Sequence, residues 1–257
     1  MKSHGRRAKS ADHILTSQEG AVLTVTIANE ARRNAIGTGA LDRLAEIAGE
    51  IQGSDVRAVI LTGAGDRAFT SGFDLSELGG FKPENFLKSH FSDVFEAWAR
   101  LPVPVIGALN GHCMGGGGHV AVICDMLIAR PGVRFMIPAA RFGFVYVPAS
   151  IRRIAATFGA ARATQLLYMN RELVAEDLLP TGVVYETSED PLAQAVALAE
   201  DVSKLAPLAV GAMKEIVREA PDPDRIEELV RLCAFSDDVV EGLGAMREKR
   251  GATFSGK

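Results

Sequence analysis

Asn110-Gly111-His112-Cys113-Met114-Gly115-Gly116-Gly117-Gly118-His119 follows one apolar run, Val103 to Leu109, and leads into another, Val120 to Ile123. The first run reads as a buried strand, and the second continues a helix that starts near Gly116. Glycine is costly at a helix start, so four in a row need a reason. Either they ease a tight turn, or they let the backbone approach a ligand closely, with free N–H groups and the positive helix end aimed at it. A second stretch is built the same way: Val56 to Thr62 reads as a β-branched strand, and Ala68-Phe69-Thr70-Ser71-Gly72-Phe73-Asp74-Leu75 lies beyond it. The two loops are about forty residues apart, one crossover unit, which sets them side by side at one end of a parallel sheet. Two N–H groups converging there on one oxygen form an oxyanion hole, the feature that an enolate-forming enzyme needs.

Outward from these loops the pattern is consistent. His13 to Ser17 and Ala21 to Ile27 read as a hairpin about Gln18-Glu19-Gly20. Leu41, Leu44, Ala45, Ala48 and Ile51 recur at helical spacing, a helix is expected from Pro83 toward Arg100, and Asp125 to Ala129 returns as a strand. Strands alternating with helices from residue 20 to 137 predict a mainly parallel sheet. Beyond Ala149 the patterns are helical, at Ile151 to Phe158, Leu192 to Leu205, Pro207 to Ala220, Ile226 to Phe235 and Val239 to Lys249, with Val183-Val184-Tyr185 as one short strand. The chain divides into a disordered N-terminus over 1–10, an α/β core over 11–195 and a helical C-terminal region over 196–257.

Composition narrows the function. The 257 residues are 47% hydrophobic and 23% charged, ordinary for a globular protein, and the net charge of −4 gives no basic face for nucleic acid. No apolar run is long enough to span a bilayer. The basic start, with Lys2, Arg6, Arg7 and Lys9, has no apolar stretch behind it and does not read as a signal peptide, so a cytoplasmic location is expected. Three cysteines predict no disulfide framework. His112, Cys113, His119 and Cys124 match no zinc spacing, so no metal is expected. Gly63-Ala64-Gly65-Asp66-Arg67-Ala68 fits a dinucleotide fingerprint, but the helix that the fingerprint requires is not predicted after it.

In its ordered set of motifs the chain resembles the crotonase superfamily, the enoyl-CoA hydratases and isomerases, from about His13 to Phe254. Arg32-Arg33-Asn34-Ala35 is similar to the family's segment that grips coenzyme A. Ala68 to Leu75 is similar to its A-F-x-A-G-x-D-L loop, and Asn110 to Asp125 to its N-G-x-x-x-G-G-G segment ending in C-D. Ala160 to Ala163, Pro207 to Lys214 and Glu241 to Phe254 match further family stretches. The resemblance implies an α/β crotonase-like spiral of ββα units with a helical C-terminal trimerisation region, assembled as a homotrimer or a dimer of trimers. It implies Phe73 and Gly116 as the two oxyanion donors. Around them, Arg32, Arg33, Ala35, Ala68, Ser71, Gly72, Asp74, Leu75, Gly115, Pro138 and Ala139 are expected to bind the acyl-CoA. Lys249 and Arg250 either reach the coenzyme A phosphates or form a solvated helix end. No cofactor is implied beyond the coenzyme A of the substrate.

The resemblance also exposes a departure. Hydratases of the family place two glutamates where this chain has His119 and Ala139, and several isomerases place an acid where it has Val147. Alanine and valine transfer no protons, so ordinary two-carboxylate water addition is not expected. His119 is the titratable residue left, with an ordinary pKa suited to base catalysis, and packing is the other reading of it. Tyr146 is the next candidate as acid or hydrogen-bond donor, followed by His90 in a helix over the pocket. Arg152-Arg153 is expected to pair with carboxylates at a subunit contact. Three functions remain open: an enolate-forming enzyme using His119, a true enoyl-CoA hydratase with a displaced acid-base pair, and a catalytically silent acyl-CoA binder.

Overall fold

Ala58–Gly63 (β3) is buried at every position, which a strand achieves only when both faces of its sheet are covered. The structure, a computed structural model, describes residues 13–78, 91–143 and 145–257. The six-stranded sheet around β3 runs in the order β1 (Ile14–Glu19), β2 (Val22–Ile27), β3, β5 (Val105–Leu109), β7 (Met126–Ala129), β10 (Glu186–Thr187). The β1–β2 hairpin is antiparallel and the remaining pairs are parallel. A smaller sheet joins β4 (Ala68–Thr70), β6 (His112–Met114) and β8 (Arg134–Met136) in parallel, with β9 (Leu173–Val174) antiparallel at its edge.

The chain visits the two sheets in turn. After α1 (Thr38–Ile51), strands β3 and β4 are followed by α2 (Phe91–Ala99), β5 and β6 by α3 (Gly116–Ile123), and β7 and β8 by α4 (Pro148–Phe158). This is the expected α/β spiral of ββα units. Val59, Leu61, Val105, Leu109, Phe69, Cys113 and Phe135 share one continuous core with the inner faces of these helices. On the other face of the large sheet, Ala58, Ile60, Ile106, Ala108 and Ile128 pack under Ala195 and Ala199 of α7 (Pro191–Ser203). The boundary expected between 195 and 196 therefore falls inside a helix that belongs to the core by its contacts.

The remaining α-helices among the described residues are α5 (Ala160–Leu167), α6 (Ala175–Leu178), α8 (Pro207–Glu219), α9 (Pro223–Ala234) and α10 (Asp237–Glu248). Lys214 of α8 reaches Asp125 Oδ2 at 2.7 Å and donates to the Val103 carbonyl at 2.7 Å. Arg218 donates to the carbonyls of Val122 and Ile123, both at 2.9 Å, and so satisfies the open C-terminal end of α3.

The structure differs from the sequence reading at several points. Residues 68–70 and 112–114, read as loop, are strands of three residues, too short to show a period of two. The strand expected at Val183 to Tyr185 begins three residues later, at Glu186. Val183 and Val184 are buried, so their apolar character marks packing rather than pairing. Residues 1–10 and His90 lie outside the described residues. No helix among the described residues is long and apolar enough to cross a membrane.

Candidate active site

The two loops singled out by their glycines meet. Gly72 has φ +85°, and a β-carbon there would overlap the Gly116 backbone nitrogen. Both facts demand glycine: the left-handed angle is strained for other residues, and the approach leaves no room for a side chain. Gly115, with φ 59° and ψ −124°, turns the chain from β6 into α3, and its N–H donates to the Met136 carbonyl at 2.8 Å. Gly116 is the first residue of α3, so its N–H has no partner inside the helix and lies at the positive end of the helix dipole.

Phe73 forms a parallel bridge with Ile36. Ile36 N–H donates to the Gly72 carbonyl at 2.8 Å, and Asp74 N–H donates to the Ile36 carbonyl at 3.0 Å. Carbonyl and N–H of one trans peptide point opposite ways, so the Phe73 N–H is directed away from Ile36. The same segment gathers the residues expected to bind coenzyme A. Ser71 N–H donates to the Arg33 carbonyl at 3.0 Å, and Ala35 is buried. Arg32 is paired with Asp74, Nη1 to Oδ2, at 2.7 Å. Asp74 also accepts from the Ser76 N–H and hydroxyl, which orders the loop. Leu75 opens the short turn of helix Leu75–Leu78, and Ala68 opens β4.

His119 is fully buried on α3. Its ring lies 5.6 Å from Phe95 and 6.1 Å from Tyr146, centroid to centroid. The structure thus brings together the two residues proposed for proton transfer, in an aromatic box. Burial, helped by the nearby Arg153 cation, lowers the His119 pKa to about 4. Its imidazole is therefore neutral at pH 7 and a weaker base than the sequence reading assumed. Burial raises the Tyr146 pKa to about 12, so its phenol stays protonated. Ala139 is buried as well, while Pro138 and Val147 are partly buried.

Arg153 corrects the sequence reading. It pairs within the chain, with Glu96 at 2.8 Å and Glu219 at 3.3 Å, instead of waiting for a partner subunit. Lys249 is the left-handed C-cap of α10, and Arg250 is held by Glu241 and Glu248, both at 2.6 Å. Among the described residues no group of three potential ligands could hold a metal ion. The Gly63-Ala64-Gly65 loop leads into β4 and not into a helix, so the dinucleotide context is missing. Asn34 and Thr70, whose hydrogen bonds knit the first loop, were not among the expected site residues, and nothing in their local sequence distinguishes them.

A spiral of ββα units carrying two facing backbone loops at a helix start defines a crotonase-type fold. The enoyl-CoA hydratase/isomerase family model matches residues 17–257. "Probable enoyl-CoA hydratase echA6" of Mycobacterium tuberculosis (strain CDC 1551) is 32% identical over 93% of this chain and 98% of that protein. The short-chain-enoyl-CoA hydratase of Clostridium acetobutylicum is 30% identical over 93% of this chain and 96% of its own length. Among solved structures, the enoyl-CoA hydratase of Bacillus anthracis superposes with a TM-score of 0.87 at 26% identity, covering 95% of this chain and all of that one. The chain belongs to the enoyl-CoA hydratase/isomerase family, whose enzymes are lyases and isomerases.

Proposed function

We propose that this protein binds an acyl-CoA thioester with its carbonyl oxygen on the N–H groups of Phe73 and Gly116, and stabilises the enolate formed there. The observation that carries the reading is the contact between Gly72 and Gly116, which brings the loops of both donors together at the start of α3. Fixed donors aimed at developing charge are worth most in a dry site. Arg32, Arg33 and Ala35 take the coenzyme A, and binding requires Arg32 to share or exchange its Asp74 partner. His119 and Tyr146 are the groups taken to move the proton. With His119, Ala139 and Val147 at the family's acid-base positions, the protein is not an efficient two-glutamate hydratase. The exposed Val230, Phe235, Val240 and Met246 on and between α9 and α10 suit a homotrimer, single or paired. Coenzyme A enters as part of the substrate, and the cytoplasm is the expected place of action.

A second reading has its own support. A histidine sealed in an aromatic box with a pKa of about 4 suits a catalytically silent acyl-CoA binder. One measurement separates the two. The protein is incubated with a panel of acyl-CoA thioesters in deuterated water, and exchange of the α-hydrogen is followed. Exchange with any thioester supports the enzyme; binding without exchange supports the silent binder.

A further inference from the structure

Two consecutive residues between β2 and α1 adopt left-handed backbone angles, Arg33 and Asn34, each with φ 56°. Such angles are uncommon outside glycine, asparagine being among the residues that accept them most readily, and two in a row persist only where the surroundings hold them. At Asn34 the surroundings do. The residue is 1% exposed. Its Nδ2 donates to the carbonyls of Ala64 at 2.9 Å and Ala68 at 2.7 Å, and its Oδ1 accepts the Asn29 N–H at 3.0 Å.

The bonds continue toward the site. Thr70 donates its hydroxyl to the Asn34 carbonyl at 2.5 Å, and Thr70 Oγ1 in turn accepts the Gly72 N–H at 3.0 Å. Two residues beyond Asn34, the Ile36 N–H holds the Gly72 carbonyl. The Gly72 residue is therefore gripped at its N–H through Thr70 and at its carbonyl through Ile36. That carbonyl belongs to the peptide that carries the Phe73 N–H, and the planar trans unit fixes one from the other.

We propose that Asn34 is a positioning residue for this site: by clamping residues 34–36 against β4, it aims the Phe73 N–H. The inference rests on the reading of Phe73 as a donor to the thioester oxygen. Asparagine suits the place because it tolerates the left-handed angle and offers both donors and an acceptor. Aspartate would set a charge against two carbonyls. Glycine keeps the backbone angle and deletes only the side-chain clamp, so Asn34→Gly is the clean test.

Wild type and Asn34→Gly, labelled with ¹⁵N-phenylalanine, are titrated with octanoyl-CoA by NMR, and α-hydrogen exchange is measured in parallel. In Asn34→Gly the exchange rate at saturation should fall at least about tenfold with KM within about threefold, since a misaimed donor weakens the transition state more than binding. The Phe73 amide shift on octanoyl-CoA binding should shrink as well. A folded Asn34→Gly with wild-type rate and wild-type amide response overturns the proposal. If the wild type exchanges with no thioester, the enolate reading fails, and the Phe73 amide response alone decides the role of Asn34. If octanoyl-CoA leaves that amide unmoved in the wild type, the proposal fails too. Should Asn34→Gly not fold, Thr70→Val cuts the link from the Asn34 carbonyl to the Gly72 N–H, and the same outcomes apply.

Discussion

Gly72 and Gly116 touch backbone to backbone, two loops apart in sequence and closer in space than any side chain would permit. Gly72→Ala must push the loops apart and also place alanine at φ +85°. The strain should cost about 1–3 kcal/mol of stability. If the Phe73 and Gly116 donors work as a pair, α-hydrogen exchange should drop about 10²–10³-fold, the usual loss for one oxyanion donor. Wild-type exchange in a folded Gly72→Ala protein would show that the contact is not catalytic.

Hydration of crotonyl-CoA should run at least about a hundredfold slower than in a relative that carries both glutamates, because one positioned acid or base contributes 10²–10⁴. The loss of absorbance of the conjugated thioester gives both rates under identical conditions. Comparable rates would mean that a residue other than His119 or Ala139 supplies the acid.

Burial of His119 predicts a pH dependence of stability. Above the unfolded pKa of about 6.5 the imidazole is neutral in both states and contributes nothing. As pH falls from 6.5 toward the folded value of about 4, the unfolded chain takes a proton that the folded one refuses. Stability should therefore decline across this window, by at most about 3 kcal/mol, and level off below it. Urea titrations at pH 7.5 and 4.5 should show a smaller difference for His119→Gln than for wild type. An NMR midpoint near 6.5 for His119 in the folded protein would contradict the dry box directly.

Asp125 and Lys214 form the buried joint between the end of α3 and α8, at 2.7 Å with side chains 21% and 8% exposed. Burial lowers the Lys214 pKa although Asp125 opposes it, so the ammonium depends on its carboxylate partner. Asp125→Ala should destabilise by about 3–5 kcal/mol, the cost of stranding a buried charge. It also removes the acceptor of the Val105 N–H. Lys214→Met should cost less, because Asp125 keeps Val105 and Arg218. Equal losses in chemical denaturation would contradict this account.

The parts of the fold legible in the sequence are those with a period or a punctuation mark. The alternation of Leu41, Leu44 and Ile51 gave α1, and the glycine run gave the start of α3. The three-residue strands of the small sheet carry too few positions to show alternation, so their pairing is set by β3, β5 and β7 delivering them in register. The candidate site could be named from the sequence as residues but not as chemistry. Whether His119 is a base depends on Phe95 and Arg153, which arrive from separate helices. The work of Asn34 depends on carbonyls of the neighbouring loop. Neither dependence leaves a trace in the local sequence.

The N–H groups of Phe73 and Gly116, proposed as the donors to the thioester oxygen, belong to the main chain, and this sets what inheritance can change. A codon change can erase a glutamate in a single step. Short of proline, no codon change erases an amide. If that proposal holds, side chains at positions 119, 139 and 147 can change while the two donors are passed on, so long as the glycines that let the loops meet are copied intact.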